Sequence, residues 1–229
     1  MINQLLIYDT ETDSADPHTC EPVQLAACIL HPVSFEPIES AYFCTDMRPS
    51  DIDEPDYYDK HLDTITWHAK NYKTSPEEVF ERWKKAPDQK TAWANFVSYV
   101  AKYNKNPSRP SRFGAPVRAG MNIIRFDDHI INRLCKKYGN VTKGEQNIFH
   151  PRDVVDLLHL AMFWLESLPE PENYNMDELR RFFGISNHGA HDALNDVKDE
   201  ALMIGKFMRL HRQLARRIQF KDSAIKEPE

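Results

Sequence analysis

Residues 5–11 have the sequence Leu-Leu-Ile-Tyr-Asp-Thr-Glu, an apolar run that passes directly into two acids. The run predicts a buried strand over residues 4–9. Side chains two apart on a strand point to the same face, so Asp9 and Glu11 should be neighbours. Two such carboxylates repel each other unless one is protonated or a cation lies between them. The alternative is a polar strand end that enters a turn after Thr12, because an isolated Asp-x-Glu is common.

The segments that follow predict an α/β fold. Apolar runs at 23–30 and 37–44 predict two further strands, which with the first form an antiparallel meander. Residues 75–78, Ser-Pro-Glu-Glu, predict the start of a helix. Further helices are predicted at about 93–100, 127–138, 153–166, 176–183 and 192–218, a short strand at 117–121, and loops at 45–62 and 104–116. We expect one domain over residues 1–220 and a solvated tail over 221–229.

Composition excludes several classes of protein. The chain has 229 residues, a formal net charge of −6 and only 7 glycines, of which Gly114 is the first. An N-terminal glycine-rich phosphate loop is therefore excluded. The four cysteines form no Cys-x-x-Cys pair, which indicates reduced thiols rather than a zinc finger. Since no apolar run approaches the roughly 20 residues of a membrane span, we expect a cytoplasmic protein. The acidic balance argues against a general polyanion binder, unless some of the acids bind metal.

A second acidic segment lies in the middle of the chain. Residues 119–128 have the sequence Ala-Gly-Met-Asn-Ile-Ile-Arg-Phe-Asp-Asp. Asp127 opens a predicted helix, where an acid is ordinarily a favourable first-turn residue. Phe126 beside it could stack on a nucleic-acid base or could simply belong to the core.

The third segment begins before the last predicted helix. His191 precedes that helix and Asp196 lies in its second turn. On one regular helix the two would point about 140° apart, so they meet only if His191 lies outside it. Asp192, Asp196 and Asp199 share a face and repel one another unless a positive group meets them. The alternative is a solvated face with Asp192 as the N-cap, and His188 is a competing histidine.

Together, the three segments resemble the DnaQ-like DEDDh 3′–5′ exonucleases, a family with an RNase H-like fold. The sequence is most similar to the exonuclease domain of bacterial exonuclease I, in the middle motif Asn-x-x-x-Phe-Asp-Asp and in Ala-His-Asp-Ala-x-x-Asp-Val at 190–197. Residues 153–156, Asp-Val-Val-Asp, resemble another segment of that family. The Trp67 region followed by Ser-Pro-Glu resembles phage DexA-type exonucleases. The resemblance spans about residues 4–207 and implies a mixed β-sheet flanked by helices.

The resemblance also implies an activity. The implied activity is that of a 3′–5′ exonuclease encoded by a bacterium or a phage. Such an enzyme hydrolyses single-stranded DNA to nucleoside 5′-monophosphates with two divalent cations, Mg²⁺ or Mn²⁺. Asp9 would bridge the two cations, with Glu11 and Asp196 completing one site and Asp127 holding the second. His191 would be the general base, because an imidazole ordinarily titrates near neutrality.

Substrate contacts can be proposed from the same resemblance. Thr12, Met121 and Asn122 match positions that touch the terminal nucleotide, and Phe126 would pack beside its base. A separate observation is the stretch between residues 90 and 125, which contains no acid and includes Arg109 and Arg112. It could follow a phosphate backbone, or it could be a solubilising loop. An exoribonuclease or oligoribonuclease and a non-catalytic nucleic-acid-binding module are the alternative functions.

Overall fold

A five-stranded mixed sheet forms the centre of the fold. The structure is a computed structural model and describes residues 3–187, 189–215 and 217. In chain order the strands are β1 (Leu5–Thr12), β2 (Pro22–Ile29), β3 (Phe43–Asp46), β4 (Val117–Gly120), β5 (Val141–Thr142), β6 (Glu145–Gln146) and β7 (Val154–Asp156). The sheet order is β3-β2-β1-β4-β7, and β5 pairs separately with β6. Strands β1 to β3 are antiparallel, whereas β4 is parallel to both β1 and β7. The predicted α/β class and antiparallel meander are confirmed.

Helices flank the sheet. They are α1 (Tyr57–Lys60), α2 (Leu62–Tyr72), α3 (Pro76–Lys85), α4 (Gln89–Ala101), α5 (Asp127–Lys137), α6 (Leu157–Leu165), α7 (Met176–Phe183) and α8 (Ala193–Ala215). The predicted start of α3 is confirmed, since Ser75 and Glu78 form a capping box. None of the described helices is long and apolar enough to span a membrane.

The central strand β1 is buried on both faces. Leu6 and Tyr8 pack into one apolar cluster with α4 and α5, whereas Leu5 and Ile7 pack into a second cluster with α6 and α8. A strand covered on both faces shows a continuous apolar run rather than alternation, which is why residues 5–8 are all apolar or aromatic. The acids that follow are thereby carried on a strand that is buried on both faces.

Two predicted boundaries differ from the structure because short elements carry little periodicity. The predicted loop at 45–62 contains α1, and the following helix α2 was not predicted. The buried face of α2 consists of Ile65, His68 and Ala69, too few apolar residues to reveal a helical period. The third strand is Phe43–Asp46 rather than 37–44, and it follows a 3₁₀ turn at Glu39–Ala41.

The predicted helix at 153–166 is likewise wrong at its start. Its first residues form the strand β7, and the helix begins at Leu157 after Asp156 accepts a hydrogen bond of 3.0 Å from the amide of Leu158. A three-residue strand is too short for its pattern to be separated from a helical turn. The predicted tail at 221–229 lies outside the described residues, and the single domain over 1–220 stays a prediction.

Gly120 ends β4 at a close approach between strands. A Cβ built there would lie 2.5 Å from Cγ2 of Ile123 and 2.7 Å from the carbonyl oxygen of Tyr8. Only a residue without a side chain fits between the strand and the turn that follows. That turn leads directly to α5 and its first residue, Asp127.

Candidate active site

Three predicted carboxylates meet beside the end of β1. One oxygen each of Asp9, Glu11 and Asp196 lie within 4.8 Å of one another. Asp9 and Glu11 are two apart on β1, and Asp196 comes from the first turn of α8. Burial is the main cause that raises the pKa of each of the three, and the neighbouring acids raise it further. Such a cluster of hard oxygen atoms suits a divalent cation.

The start of α8 is fixed to the sheet by Gln24 of β2. Its Oε1 accepts a hydrogen bond of 2.9 Å from the amide of Ala193, and Gln24 is the strand partner of Glu11. Asp192 accepts from the amide of Asn195 at 3.2 Å and so caps the helix, as the alternative interpretation proposed. Asp196 is therefore held at a defined distance from β1.

Asp127 reaches the same region from α5. Its side chain is 3% exposed, and Oδ1 accepts hydrogen bonds from the amide (3.0 Å) and hydroxyl (2.5 Å) of Thr10. Thr10 lies between Asp9 and Glu11, so Asp127 is attached to the same strand as both. Burial raises the pKa of Asp127 to about 7. Asp128 has a structural role instead, since it pairs with Arg118 at 2.9 Å and accepts from the hydroxyl of Tyr8 at 2.7 Å.

The turn before α5 is held by Asp156 of β7. The carboxylate of Asp156 accepts hydrogen bonds from the amides of Asn122 (2.9 Å) and Ile124 (3.2 Å). Asn122 has a φ of 55°, in the left-handed region, and the bonds to Asp156 help to hold it there. Asp156 thus fixes the turn that presents Phe126 and Asp127.

Glu200 is an acid that sequence reasoning did not single out. It lies one turn after Asp196 on α8 and is 1% exposed, and its Oε2 has no hydrogen-bond partner among the described residues. Burial, with the charges of Asp196 and Asp127, raises its pKa well above the ordinary value. Its charge in turn raises the pKa of Asp9. The spacing of four from Asp196 was the available signal, because residues i and i+4 share a helix face.

Arg180 of α7 is the positive group that meets the acids of α8. Its side chain is fully buried, with Nη2 2.6 Å from Oδ1 of Asp196 and Nε 2.8 Å from Oδ2 of Asp199. Sequence reasoning missed it, because a lone arginine in an amphipathic helix carries no sign of its partner. Arg180 therefore compensates the charges of Asp196 and Asp199.

His191 lies outside α8, as the spacing required. It has a φ of 66°, and its amide donates to Oδ1 of Asp196 at 3.2 Å. Its ring lies edge-on to Trp67 of α2, with ring centroids 4.7 Å apart. The competing residue His188 lies outside the described residues.

A cavity of about 440 Å³ opens beside these carboxylates, and we call it the acid-site cavity. Its lining includes Glu11, Thr12, Trp67, His68 and Phe126. His68 is buried with Nε2 3.0 Å from the carbonyl oxygen of Thr12 and Nδ1 4.0 Å from Oε2 of Glu11. Burial lowers the pKa of His68, so its imidazole is neutral. Trp67 and His68 were missed as site residues because their helix was missed.

The remaining predicted substrate contacts lie elsewhere. Met121 packs at the edge of the core and Asn122 lies in the turn held by Asp156. Arg109 is exposed in its loop, and Arg112 pairs with Glu145 at 2.7 Å. None of these four belongs to the described lining of the acid-site cavity, and their contacts with substrate stay predictions.

Comparisons with known proteins identify the fold. No protein-family model matches the sequence, and no curated protein matches it. Among solved structures, Escherichia coli exonuclease I in complex with a dT13 oligonucleotide is similar over 94% of this chain and 43% of that chain, with 20% identity and a TM-score of 0.63. The zinc-bound form of the E. coli exonuclease I complex with single-stranded DNA is similar over 94% and 42%, with 20% identity and a TM-score of 0.62.

The likeness confirms the predicted RNase H-like fold. The mixed sheet with helices on both faces is shared with these structures over nearly the whole chain. The chain spans less than half the length of the solved structures that it matches.

The raised carboxyl pKa values predict a stability that falls with pH in EDTA. A carboxyl whose pKa is raised on folding keeps its proton in the folded state, so stability is lost as pH rises from about 4 through the folded value, which is about 7 for Asp127. We expect a melting temperature about 5 °C lower at pH 8 than at pH 5.5 in EDTA. Mg²⁺ or Mn²⁺ at pH 8 should restore it, because a cation replaces the protons. Differential scanning calorimetry checks both effects.

The matched control is Asp127→Asn, which keeps an oxygen for the hydrogen bonds from Thr10. We expect it to be more stable than the wild type at pH 8 in EDTA and to respond less to Mg²⁺. A melting temperature that rises from pH 5.5 to pH 8 in EDTA would contradict the prediction.

Arg180→Gln should lower the free energy of unfolding by about 3 kcal/mol, because it leaves two partly buried carboxylates without their cation. Arg181→Gln is the control, since Arg181 is about half exposed and pairs with Glu178 on the surface. We expect that control to lose less than about 1 kcal/mol. Urea unfolding at pH 8 in EDTA measures both, and equal losses would refute a special role for Arg180.

Proposed function

We propose that the chain is a metal-dependent 3′–5′ exonuclease domain that hydrolyses single-stranded DNA to nucleoside 5′-monophosphates. The observation that carries the proposal is the set of carboxylate oxygens of Asp9, Glu11 and Asp196 within 4.8 Å, beside a cavity with aromatic side chains in its lining. The shared fold with exonuclease I, which has been solved with single-stranded DNA, supports the same activity.

The donor set fits divalent cations. Asp9, Glu11 and Asp196 would hold one cation, and Asp127 would hold a second together with Asp9. The Oε2 of Glu200 supports a positive charge nearby, since a buried polar atom without a hydrogen-bond partner is costly. Carboxylate oxygens favour Mg²⁺ or Mn²⁺. When bound, two such cations stabilise charge on the attacking and leaving oxygens of a phosphodiester.

The protein's own groups would supply the proton transfer and the positioning. His191 would accept the proton of the attacking water, because it lies outside α8 beside Asp196 and can face the same phosphate. Its contact with Trp67 limits the rotation of its ring. Trp67 and Phe126 would hold the terminal base by stacking, and Thr12 would lie beside its sugar.

A digestion with end-labelled oligonucleotides tests the function. We expect 5′-labelled single-stranded DNA to shorten in single-nucleotide steps with Mg²⁺, 3′-labelled DNA to release a labelled mononucleotide at once, and EDTA to abolish both. Duplex DNA and RNA in parallel lanes define the preferred substrate, and faster cleavage of RNA would favour the exoribonuclease alternative. Binding without cleavage under all conditions would indicate a non-catalytic module.

Substitutions at the site separate catalysis from binding. His191→Ala should lower kcat by about 10²–10⁴-fold and leave DNA binding intact, because only proton transfer is lost. Asp9→Ala should abolish hydrolysis. His159→Ala, on the exposed side of α6, is the control and should match the wild type. If His188→Ala loses turnover and His191→Ala does not, the general base has been assigned to the wrong histidine.

A further inference from the structure

A second cavity, of about 450 Å³, lies along α5, and we call it the α5 groove. Its basic lining consists of His18, Arg112, Arg118, His129, Arg133 and Lys136. Among all its lining residues the groove has four Arg or Lys side chains against one acid, Glu145, a net charge of +3 with neutral histidines. The whole chain has a net charge of −6, so this concentration of positive charge is local.

Two of the four basic side chains of the groove are paired with acids, Arg112 with Glu145 and Arg118 with Asp128, whereas Arg133 and Lys136 have no carboxylate partner among the described residues. Lys136 is exposed and forms no salt bridge with the described residues. Arg133 donates to the carbonyl oxygens of Pro17 and Cys20 rather than to a carboxylate. These contacts fix the loop between β1 and β2 but leave the charge of the guanidinium in place. The groove is thus a preformed site for an anion.

Two segments of the chain contribute residues both to the acid-site cavity and to the α5 groove. Ala15 and Phe126 line the acid-site cavity, and His18 and His129, three residues further along the same two segments, line the groove. The rings of His18 and His129 are in contact, with centroids 4.5 Å apart. Two adjoining stretches of chain therefore lead from the carboxylates into the basic groove.

The basic side chains continue along one face of α5. His129, Arg133 and Lys136 are spaced by four and three residues, so they lie in a row on the helix surface. From His129 to Lys136 the helix rises about 10 Å, enough for more than one phosphate of an extended strand. Arg112 and Arg118, which come from the chain before and within β4, also line the groove.

We infer that the α5 groove binds the sugar–phosphate backbone of single-stranded DNA on the 5′ side of the nucleotide that occupies the acid-site cavity. This inference rests on the proposed function, because it takes the 3′ end to lie at the carboxylates. Of the two arginines that the sequence indicated for backbone contacts, Arg112 belongs to this groove, and Arg109 is not part of its described lining. Each phosphate bound there releases condensed cations, so binding should depend on salt.

Charge reversal tests the groove. The groove variant is Arg112→Glu with Lys136→Glu, and the control is Lys60→Glu with Lys206→Glu, an equal change of charge at exposed residues outside the described lining of the groove. The probe is an oligothymidylate of about 20 nucleotides with phosphorothioate linkages, which resist cleavage, and its affinity is measured by fluorescence anisotropy with Mg²⁺. We expect about tenfold weaker binding for the groove variant, and a salt slope smaller by about 1.4 for two lost contacts. The control should bind within twofold of the wild type.

A dithymidylate is too short to enter the groove, so its hydrolysis reports on the carboxylate site alone. We expect the groove variant to hydrolyse it at the wild-type rate. If Arg112→Glu disturbs folding, Lys136→Glu alone should still weaken binding of the long probe and leave the rate of dinucleotide hydrolysis unchanged. Equal affinities of the groove and control variants, or no binding of the long probe by the wild type, would overturn the inference. Failure of the wild type to hydrolyse the dinucleotide, with the groove effect intact, would overturn the proposed function instead.

Discussion

Repulsion among buried carboxylates is the main physical constraint on how this fold is arranged. Burial raises the pKa values of Asp9, Glu11, Asp127, Asp196 and Glu200, and the charges of other acids in the cluster raise those of Asp9, Glu11 and Glu200 further. Burial makes such charges costly unless each finds a positive or hydrogen-bonding partner. Thr10 supplies two donors to Asp127, and Arg180 supplies its guanidinium to Asp196. No described partner meets Oε2 of Glu200, so the protein alone leaves the cluster incompletely compensated.

The topology explains why acids so distant in sequence meet. β1, β4 and β7 are parallel neighbours, so their carboxyl ends lie along one edge of the sheet. The acids of β1 are at that edge, and Gly120 and Asp156, which are register partners, begin and hold the turn into α5. On the other side of β1, Gln24 fixes the first residue of α8. Each carboxylate is therefore placed by the backbone geometry of the elements that carry it.

What the sequence could predict depended on whether the information was local. The strand β1, the starts of α3 and α5, and the position of His191 outside α8 each follow from neighbouring residues, and the structure agrees with them. Arg180 and Trp67 could not be found in this way, because their partners Asp196 and His191 come into contact only through the packing of helices. The fold could be predicted because the pattern that identifies β1 is contained in seven residues. The groups that compensate the charge of the carboxylates could not be predicted, because tertiary contacts bring them together.

The distribution of charge matters more than its sum. A net charge of −6 argues against a polyanion partner, yet five of the 35 acids lie in one buried cluster and the lining of the α5 groove has a net charge of +3. If the proposed function holds, a strand that approaches without divalent cations would be attracted along α5 and repelled at the carboxylates. Cations in the cluster would extend the attraction from the groove to the site. Metal occupancy would then govern whether the end of a bound strand can reach the carboxylates, while the groove holds the backbone in either state.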